Sequence, residues 1–161
     1  MSAPSDRPAE SVWDYPRPPR LERASRLVRI EFGGREIVRS PDAFRVLETS
    51  HPPVYYVPPA DVEAGVLQPS RRRSICEWKG QAHYWSLRIG ERYAEDAAWS
   101  YPRPTAAFAA MRDYLAFYPG RVDGCYLDGE RVRAQAGDFY GGWITAEIVG
   151  PFKGERGTAG W

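Results

Sequence analysis

Cysteine and histidine are both scarce in this chain of 161 residues, which contains two of each. Cys76 and Cys125 are too few for a disulfide framework, and a reducing, cytoplasmic setting suits them best. The two histidines, His51 and His83, do not stand at zinc-ligand spacing from either cysteine. We therefore expect neither a metal nor another cofactor.

Long apolar runs and a charge excess of either sign are also missing. No stretch of about 18 apolar residues is present, so we expect no membrane-spanning segment. The first ten residues lack the apolar centre of a secretory signal, which again favours the cytoplasm. With 22 basic and 21 acidic residues the formal net charge is +1, so there is no electrostatic case for nucleic acid or a membrane surface as a partner.

Aromatic residues, glycine and proline are abundant instead. The chain has 6 Trp, 10 Tyr and 6 Phe, residue types that suit pockets and interfaces as well as cores. Glycine and proline number 15 each, and both break helices. This composition favours many short strands joined by turns, in a single domain at roughly 100–200 residues per domain.

Local patterns predict where these strands lie. Predicted strands cover residues 27–32 and 35–39 (a hairpin turning at Gly33-Gly34), 44–48, 53–57, 72–78, 82–89, 92–101 and 114–118, with a last hairpin around Asp128-Gly129. One short helix is predicted over residues 105–112, with Thr105 as its cap. The glycine-rich residues 139–161 are predicted to form loops.

The N-terminal residues predict a tail followed by an arm. Residues 1–11 are predicted to be disordered, and residues 12–161 to form the single domain. The proline-rich segment that ends at Arg20 predicts an extended arm. We expect Trp13 and Tyr15 to attach this arm to the body, because burying one such side chain is worth roughly 1.5–3 kcal/mol.

Six residues on or beside the central strands are candidates for ligand binding. They are Tyr56, Trp78, Lys79, Tyr84, Trp99 and Tyr101. Rings that line an open cleft would stack on a planar ligand or hold a cation, whereas rings that only pack would belong to the core. Lys79 is one of two lysines, with Lys153, and in its turn it would face either a ligand carboxylate or phosphate or the solvent.

Four side chains are candidates for catalysis. Lys79 would be a nucleophile if it were partly desolvated, and Cys76 follows three arginines that would stabilise a thiolate. Glu48 and His51 stand three residues apart and would form an acid–base pair. Each also has a structural alternative: a solvent-facing lysine, a buried thiol, or a carboxylate that accepts hydrogen bonds from its own loop.

Four segments carry a family resemblance by their order and spacing. They are residues 48–56 (ETSHPPVYY), 76–80 (CEWKG), 97–102 (AAWSYP) and 116–120 (AFYPG). Over most of residues 12–161 the chain resembles the bacterial family known as domain of unknown function 427. The resemblance implies a β-tent architecture, in which two small antiparallel sheets lean together at one edge. B-type methionine sulfoxide reductases and the thalidomide-binding domain of cereblon share this architecture.

The chain also departs from what these relatives imply. Many β-tent proteins bind structural zinc through two Cys-x-x-Cys pairs, and this chain has neither pair, so we expect no structural zinc. The family is sometimes described as nucleotidyltransferase-like, an activity that needs paired carboxylates to hold magnesium. Here Asp128 and Glu130 flank a tight turn, and there is no Gly-x-x-x-x-Gly-Lys loop for phosphate.

These observations predict a mainly β fold, a β-tent-like pair of small antiparallel sheets with one short helix. The predicted function is binding of a small planar or anionic molecule in an aromatic pocket between the sheets. The tryptophan-lined pocket of cereblon supports this function by resemblance. One alternative is an enzyme that uses Lys79 or Cys76 in that pocket. Another is a protein-interaction module, with a homodimer as one possible form.

Overall fold

The computed structural model describes residues 7–137, 139–158 and 161 and confirms a mainly β fold. In chain order the strands are β1 (Glu10–Ser11), β2 (Arg20–Arg23), β3 (Val28–Phe32), β4 (Arg35–Ser40), β5 (Phe44–Leu47), β6 (Val54–Tyr56), β7 (Leu67–Cys76), β8 (Gly80–Ile89), β9 (Arg92–Ser100), β10 (Leu115–Phe117), β11 (Gly124–Leu127), β12 (Glu130–Arg131), β13 (Arg133–Ala134), β14 (Trp143–Ile144) and β15 (Ile148–Val149). Short 3-10 helices cover Val12–Asp14, Pro59–Asp61, Ala106–Met111 and Pro119–Arg121.

Three antiparallel sheets make up most of the structure. Two have four strands, in the orders β10-β9-β8-β7 and β12-β11-β3-β4, and one has three strands in the order β2-β5-β6. Strands β1 and β15 form a small parallel pair, and β13 and β14 an antiparallel one. Val57 and Leu115 exchange main-chain hydrogen bonds of 2.9 and 2.8 Å, so the edge beside β6 is joined to the edge strand β10.

The two predicted hairpins are confirmed. Gly33 and Gly34 connect β3 to β4 with φ values of 62° and 76°, the left-handed conformation that a two-residue hairpin turn requires. Asp128 and Gly129 connect β11 to β12 with φ values of 48° and 86°. Turn residues alone therefore specify these two strand pairings.

The sheet β7–β10 separates two cores, because successive side chains along a strand point to opposite faces. Ala98 of β9 and Phe117 of β10 belong to the larger core, which also contains alternate residues of β3. Trp99 and Ala116, their chain neighbours, belong to a second core rich in aromatic rings. The candidate residues on these strands lie on the second face.

The predicted helix is shorter and of a different type than expected. It is a six-residue 3-10 helix, Ala106–Met111, and Thr105 makes no capping hydrogen bond with its side chain. The hydroxyl of Thr105 instead donates to the main-chain oxygen of Trp78 at 2.6 Å, and its N–H donates to that of Lys79 at 3.1 Å. The helix start thus holds the β7–β8 turn. No helix among the described residues is long and apolar enough to cross a membrane.

Two other boundaries differ from the predicted ones. Strand β7 begins at Leu67, before the expected residue 72, and contains Pro69. An edge strand tolerates proline because one side of its backbone has no partner strand, and the pairing with β8 is irregular between Pro69 and Arg73. The C-terminal segment predicted as loops contains β14 and β15.

The N-terminal arm begins earlier than predicted. Of the tail expected at residues 1–11, residues 1–6 lie outside the described residues, but Glu10–Ser11 forms β1 and pairs with β15. Val12 is completely buried, and Tyr15 is buried in the same small cluster. Trp13 remains 44% exposed, although its indole donates to the main-chain oxygen of Pro151 at 3.0 Å.

Shortening Val12 should measure how strongly the arm stabilises the fold. We expect Val12→Ala to lower the free energy of unfolding by about 2 kcal/mol, since it removes two buried methyl groups and leaves a cavity. Val149→Ala is the matched control, because Val149 lies in the paired strand β15 but is 47% exposed. Urea denaturation of both variants is the measurement, and equal losses would contradict a docked arm.

Candidate ligand-binding site

A cavity of about 450 Å³ opens beside the aromatic core. Its walls include Val46 and Val54 from the three-stranded sheet and Tyr84 and Trp99 from the sheet β7–β10. The volume falls in the range of about 300–1,000 Å³ that is usual for small-molecule sites. We call this space the cavity below.

The structure brings every predicted site residue to the cavity. The lining includes Tyr56, Trp78, Lys79, Tyr84, Trp99 and Tyr101, together with Glu48, His51 and Cys76. Four of these rings, those of Tyr56, Tyr84, Trp99 and Tyr101, are also at most 7% exposed and belong to the second core. The same side chains therefore pack in the core and also line the cavity, although the sequence analysis treated these as alternatives.

Strand register explains why these residues share one face. Tyr84 stands directly opposite Trp99, and Trp99 stands opposite Ala116. Cys76 stands opposite Gly80, an even number of residues before Tyr84, so it falls on the same face. The irregular pairing in β8 lies between Trp85 and Leu87, beyond these pairs, and leaves their alternation intact.

The aromatic floor of the cavity is closely packed. The rings of Trp99 and Tyr118 have centroids 4.6 Å apart at 47°, and Tyr56 stands edge-on to Trp99 at 6.3 Å. Gly141 lies against Trp99: a Cβ at Gly141 would fall 2.3 Å from the indole, so no other residue fits there without displacing the ring. The C-terminal segment therefore covers one side of the floor.

Hydroxyl groups among these rings supply neutral polar contacts. Burial raises the pKa of Tyr56, Tyr101 and Tyr118 above the ordinary tyrosine value, so all three remain protonated at neutral pH. The hydroxyl of Tyr84 lies 2.9 Å from that of Ser74, and the hydroxyl of Tyr118 donates to the main-chain oxygen of Phe139 at 2.9 Å. The floor is thus apolar in its faces and polar at its edges.

Lys79 is held at the rim by the short turn between β7 and β8. Its ammonium lies 6.0 Å from the ring centroids of both Tyr101 and Phe108. Gly80 follows with a φ of 110°, a conformation that favours glycine. The turn, pinned by Thr105, therefore places one flexible cation beside the aromatic floor.

Several lining residues were not predicted from the sequence. Among them are Tyr118 of the aromatic floor, Arg17 from the arm, and Gln135, Phe139, Tyr140, Lys153 and Trp161 from the C-terminal segment. One signal was available for Lys153, since Phe152-Lys153-Gly154 repeats the aromatic–lysine–glycine order of residues 78–80. Both lysines of the chain thus line one cavity.

The two lysines differ in their surroundings. Lys153 is only 8% exposed, and its ammonium donates to the main-chain oxygens of Thr158 at 2.7 Å and Trp161 at 3.2 Å. Lys79 is partly exposed, and among the described residues it makes no hydrogen bond or ion pair through its ammonium. Lys153 holds the C-terminal segment through these hydrogen bonds, whereas no described residue holds the ammonium of Lys79 in this way.

Glu48 and His51 lie together, but not at hydrogen-bond distance. The Nε2 atom of His51 is 3.8 Å from a carboxylate oxygen of Glu48, and the same oxygen is 3.8 Å from Arg17. Burial, and then the positive charges of Arg17, Lys79 and Lys153, lowers the pKa of His51 from its ordinary 6.5 to about 4. The ring is therefore neutral at pH 7.

The two cysteines occupy different environments. Cys76 is half-buried and lines the cavity. Cys125 is buried in the larger core, and burial raises the pKa of its thiol above the ordinary value. Cys125 is thus a buried structural thiol, whereas Cys76, for which burial was the structural alternative, has access to the cavity.

Asp128 and Glu130, the carboxylates that flank the tight turn, have other partners than a metal. Asp128 accepts a hydrogen bond of 2.8 Å from the N–H of Leu27 and pairs with Arg26 at 3.2 Å. Glu130 accepts from the N–H of Ala146 at 2.7 Å. Within residues 7–137, 139–158 and 161, no group of three or more His, Cys, Asp or Glu side chains is placed to bind a metal ion.

Comparison with known families identifies the class of chain. Residues 20–128 match the family described as a domain of unknown function, DUF427. The match covers more than half of the sequence, so the chain belongs to this family, as the four sequence segments predicted. A comparison with curated proteins found no match. Arg17 and the cavity residues from Gln135 onward lie outside the matched range.

The lowered pKa of His51 predicts how stability depends on pH. As the pH falls from 6.5 towards 4, the unfolded chain takes up a proton on this ring and the folded chain does not, so the folded state loses stability. We expect His51→Gln to flatten this loss, measured as the difference between urea unfolding free energies at the two ends of that range. His83→Gln is the comparison variant, because desolvation and then Arg73 and Arg103 also lower the pKa of the partly exposed His83. We expect His83→Gln to flatten the loss less than His51→Gln does, and an equal effect of both variants would contradict the prediction.

Proposed function

We propose that the cavity binds a small planar molecule that carries an anionic group. The observation that carries this proposal is that an aromatic floor, which includes Trp99 and Tyr118, and the cation of Lys79 line the same cavity. The ammonium of Lys79 lies 6.0 Å from the ring centroid of Tyr101, which is also part of the lining. Neither feature alone is informative, because buried rings are common in cores and surface lysines are common everywhere. Because the rings and the cation line one open cavity, they support a ligand that is planar and carries an anionic group.

Ring faces support the planar part of the ligand. Trp78 is only half-buried, lines the cavity from the turn after β7 and packs against the cluster that contains the buried rings. Offset stacking against such rings contributes about 0.5–1.5 kcal/mol beyond the burial of area. A flat ring would use these faces better than a flexible chain of the same size.

The charge of the lining supports the anionic part. Three cationic side chains, those of Arg17, Lys79 and Lys153, line the cavity against two carboxylates, Glu48 and Glu77. The ammonium of Lys153 already donates to two main-chain oxygens, and the guanidinium of Arg17 donates to the main-chain oxygen of Thr49 and lies 3.8 Å from Glu48. Lys79 is therefore the group that would contact the ligand. A hydrogen bond to a charged partner is worth about 1.5–3 kcal/mol, which is enough to select an acid over its amide.

The joined sheets support a β-tent arrangement. The bridge between Val57 and Leu115 connects two antiparallel sheets along one edge, which is the relation that the architecture requires. Tyr56 precedes this bridge, and its ring centroid lies 6.3 Å from the ring centroids of both Trp99 and Tyr101. The cavity accordingly lies beside the shared edge.

Matched pairs of ligands test the proposal. We expect benzoate and nicotinate to raise the melting temperature, and benzamide and nicotinamide to raise it less, because only the acids pair with Lys79. Lys79→Met should weaken binding of the acids about tenfold or more, whereas Arg103→Met, an exposed position outside the cavity lining, should not. Equal shifts from acids and amides would contradict an anionic ligand.

Ring removal tests the planar part separately. Trp78→Leu should reduce the shift from all four compounds. Trp85→Leu is the control, since Trp85 is also partly exposed but packs against the larger core and does not line the cavity. No shift from any compound with the native protein would contradict the proposal as a whole.

A second candidate function is enzymatic, with Cys76 or Lys79 as the nucleophile. The observation that favours it is that both side chains line the cavity in which a ligand would be held. Iodoacetamide followed by mass spectrometry tests the thiol: we expect Cys76 to be alkylated faster than free cysteine at pH 7 and Cys125 to be protected by burial. Alkylation of Cys76 slower than that of free cysteine would contradict an activated nucleophile.

A further inference from the structure

We propose that His51 is a hydrogen-bond donor to the ligand, with its proton fixed on Nε2, so that the cavity has a subsite for an acceptor oxygen. Carboxylate, carbonyl and phosphate oxygens are the chemical class that such a donor selects. This inference rests on the proposed function and deepens it. It differs from the acid–base role expected for Glu48 and His51, because a base needs a free ring nitrogen.

The orientation of the Gln135 side chain is the first step. Gln135 is only 5% exposed, so its amide must find partners inside the protein. Its oxygen accepts from the N–H of Gly142 at 3.0 Å, and its nitrogen donates to the main-chain oxygen of Lys153 at 2.6 Å. Exchanging oxygen and nitrogen would lose both hydrogen bonds, so the amide has one orientation.

The amide orientation determines the tautomer of His51. The nitrogen of Gln135 lies 3.4 Å from Nδ1 of His51 and carries a second N–H. Since an amide nitrogen donates and does not accept, Nδ1 must be the acceptor and the ring proton must be on Nε2. A doubly protonated ring would place two donors against each other, in agreement with the lowered pKa.

The Nε2 proton is left for a ligand. Within the described part of the chain Nε2 makes no hydrogen bond, and the nearby oxygen of Glu48 lies 3.8 Å away. The ring lines the cavity and packs beside Tyr140, with centroids 5.1 Å apart. The carboxylate of Glu48 lies 3.8 Å from Nε2, and the positive charges of Arg17, Lys79 and Lys153 also act on the ring. An acceptor oxygen near Nε2 would therefore meet one carboxylate and three cationic groups.

The residues that fix this donor come from the segment beyond residue 128, outside the family match. Only glycine fits at position 142 without displacing a neighbour, because a Cβ there would fall 2.5 Å from the side-chain oxygen of Gln135. It would also fall 2.8 Å from Pro52, the neighbour of His51. The family-matched part of the chain supplies the aromatic floor. The segment that follows fixes the tautomer of His51, the group proposed to donate a hydrogen bond to the ligand.

Nitrogen NMR tests the tautomer without any ligand. In protein labelled with ¹⁵N-histidine at pH 7, long-range ¹H–¹⁵N correlations should show a protonated Nε2 and an unprotonated Nδ1 for His51. Gln135→Glu places an acceptor opposite Nδ1 and should raise the pKa of His51 more than Gln135→Met, which only removes the opposing donor. A proton on Nδ1 in the native protein would overturn the proposal.

Titration with benzoate, nicotinate and inorganic phosphate tests the subsite. At least one should shift the Nε2 proton signal, and His51→Phe should weaken its binding about tenfold. If a compound raises the melting temperature but none moves the Nε2 signal, the cavity function stands and the subsite is overturned. If no compound raises the melting temperature or moves the Nε2 signal, the cavity function and the subsite are both overturned, whichever ring nitrogen carries the proton.

Discussion

Two main-chain hydrogen bonds between Val57 and Leu115 determine where the cavity lies. They join the edges of two antiparallel sheets, and backbone pairing at an edge fixes the register of everything beside it. Tyr56 comes immediately before the bridge and Ala116 immediately after it, opposite Trp99. The aromatic floor is therefore a consequence of one short stretch of shared backbone.

The wall of the cavity that the C-terminal segment forms depends on single main-chain hydrogen bonds rather than on strand pairing. The N–H of Lys153 donates to the oxygen of Ser50 at 2.7 Å, and that of Trp143 donates to the oxygen of Pro53 at 2.8 Å. These bonds hold the C-terminal segment over the loop that carries His51. The polar wall of the cavity is thus built by two irregular segments that restrain each other, on a floor of regular sheet.

The parts that could be predicted from the sequence are those that local chemistry determines. Gly33-Gly34 and Asp128-Gly129 specify turns by their backbone conformation, and Tyr84 and Trp99 were candidates because they lie on predicted strands. Their common face follows from the register that the structure shows. The meeting of Glu48 and His51 with Lys153 is set by long-range contacts, which leave no periodic pattern in residues 135–161. Thr105 shows the same limit, since its hydroxyl bonds to a distant turn rather than to its own helix.

The scarcity of lysine has a practical consequence for studying this protein. Because both lysine side chains line the same cavity, isotope labels placed on lysine report on that region alone. The two sites are also distinguishable: the ammonium of Lys153 is enclosed by main-chain oxygens, so a mild acylating reagent would reach Lys79 first. Since the other 20 of the 22 basic residues are arginine, the only lysine signals in the protein come from the cavity.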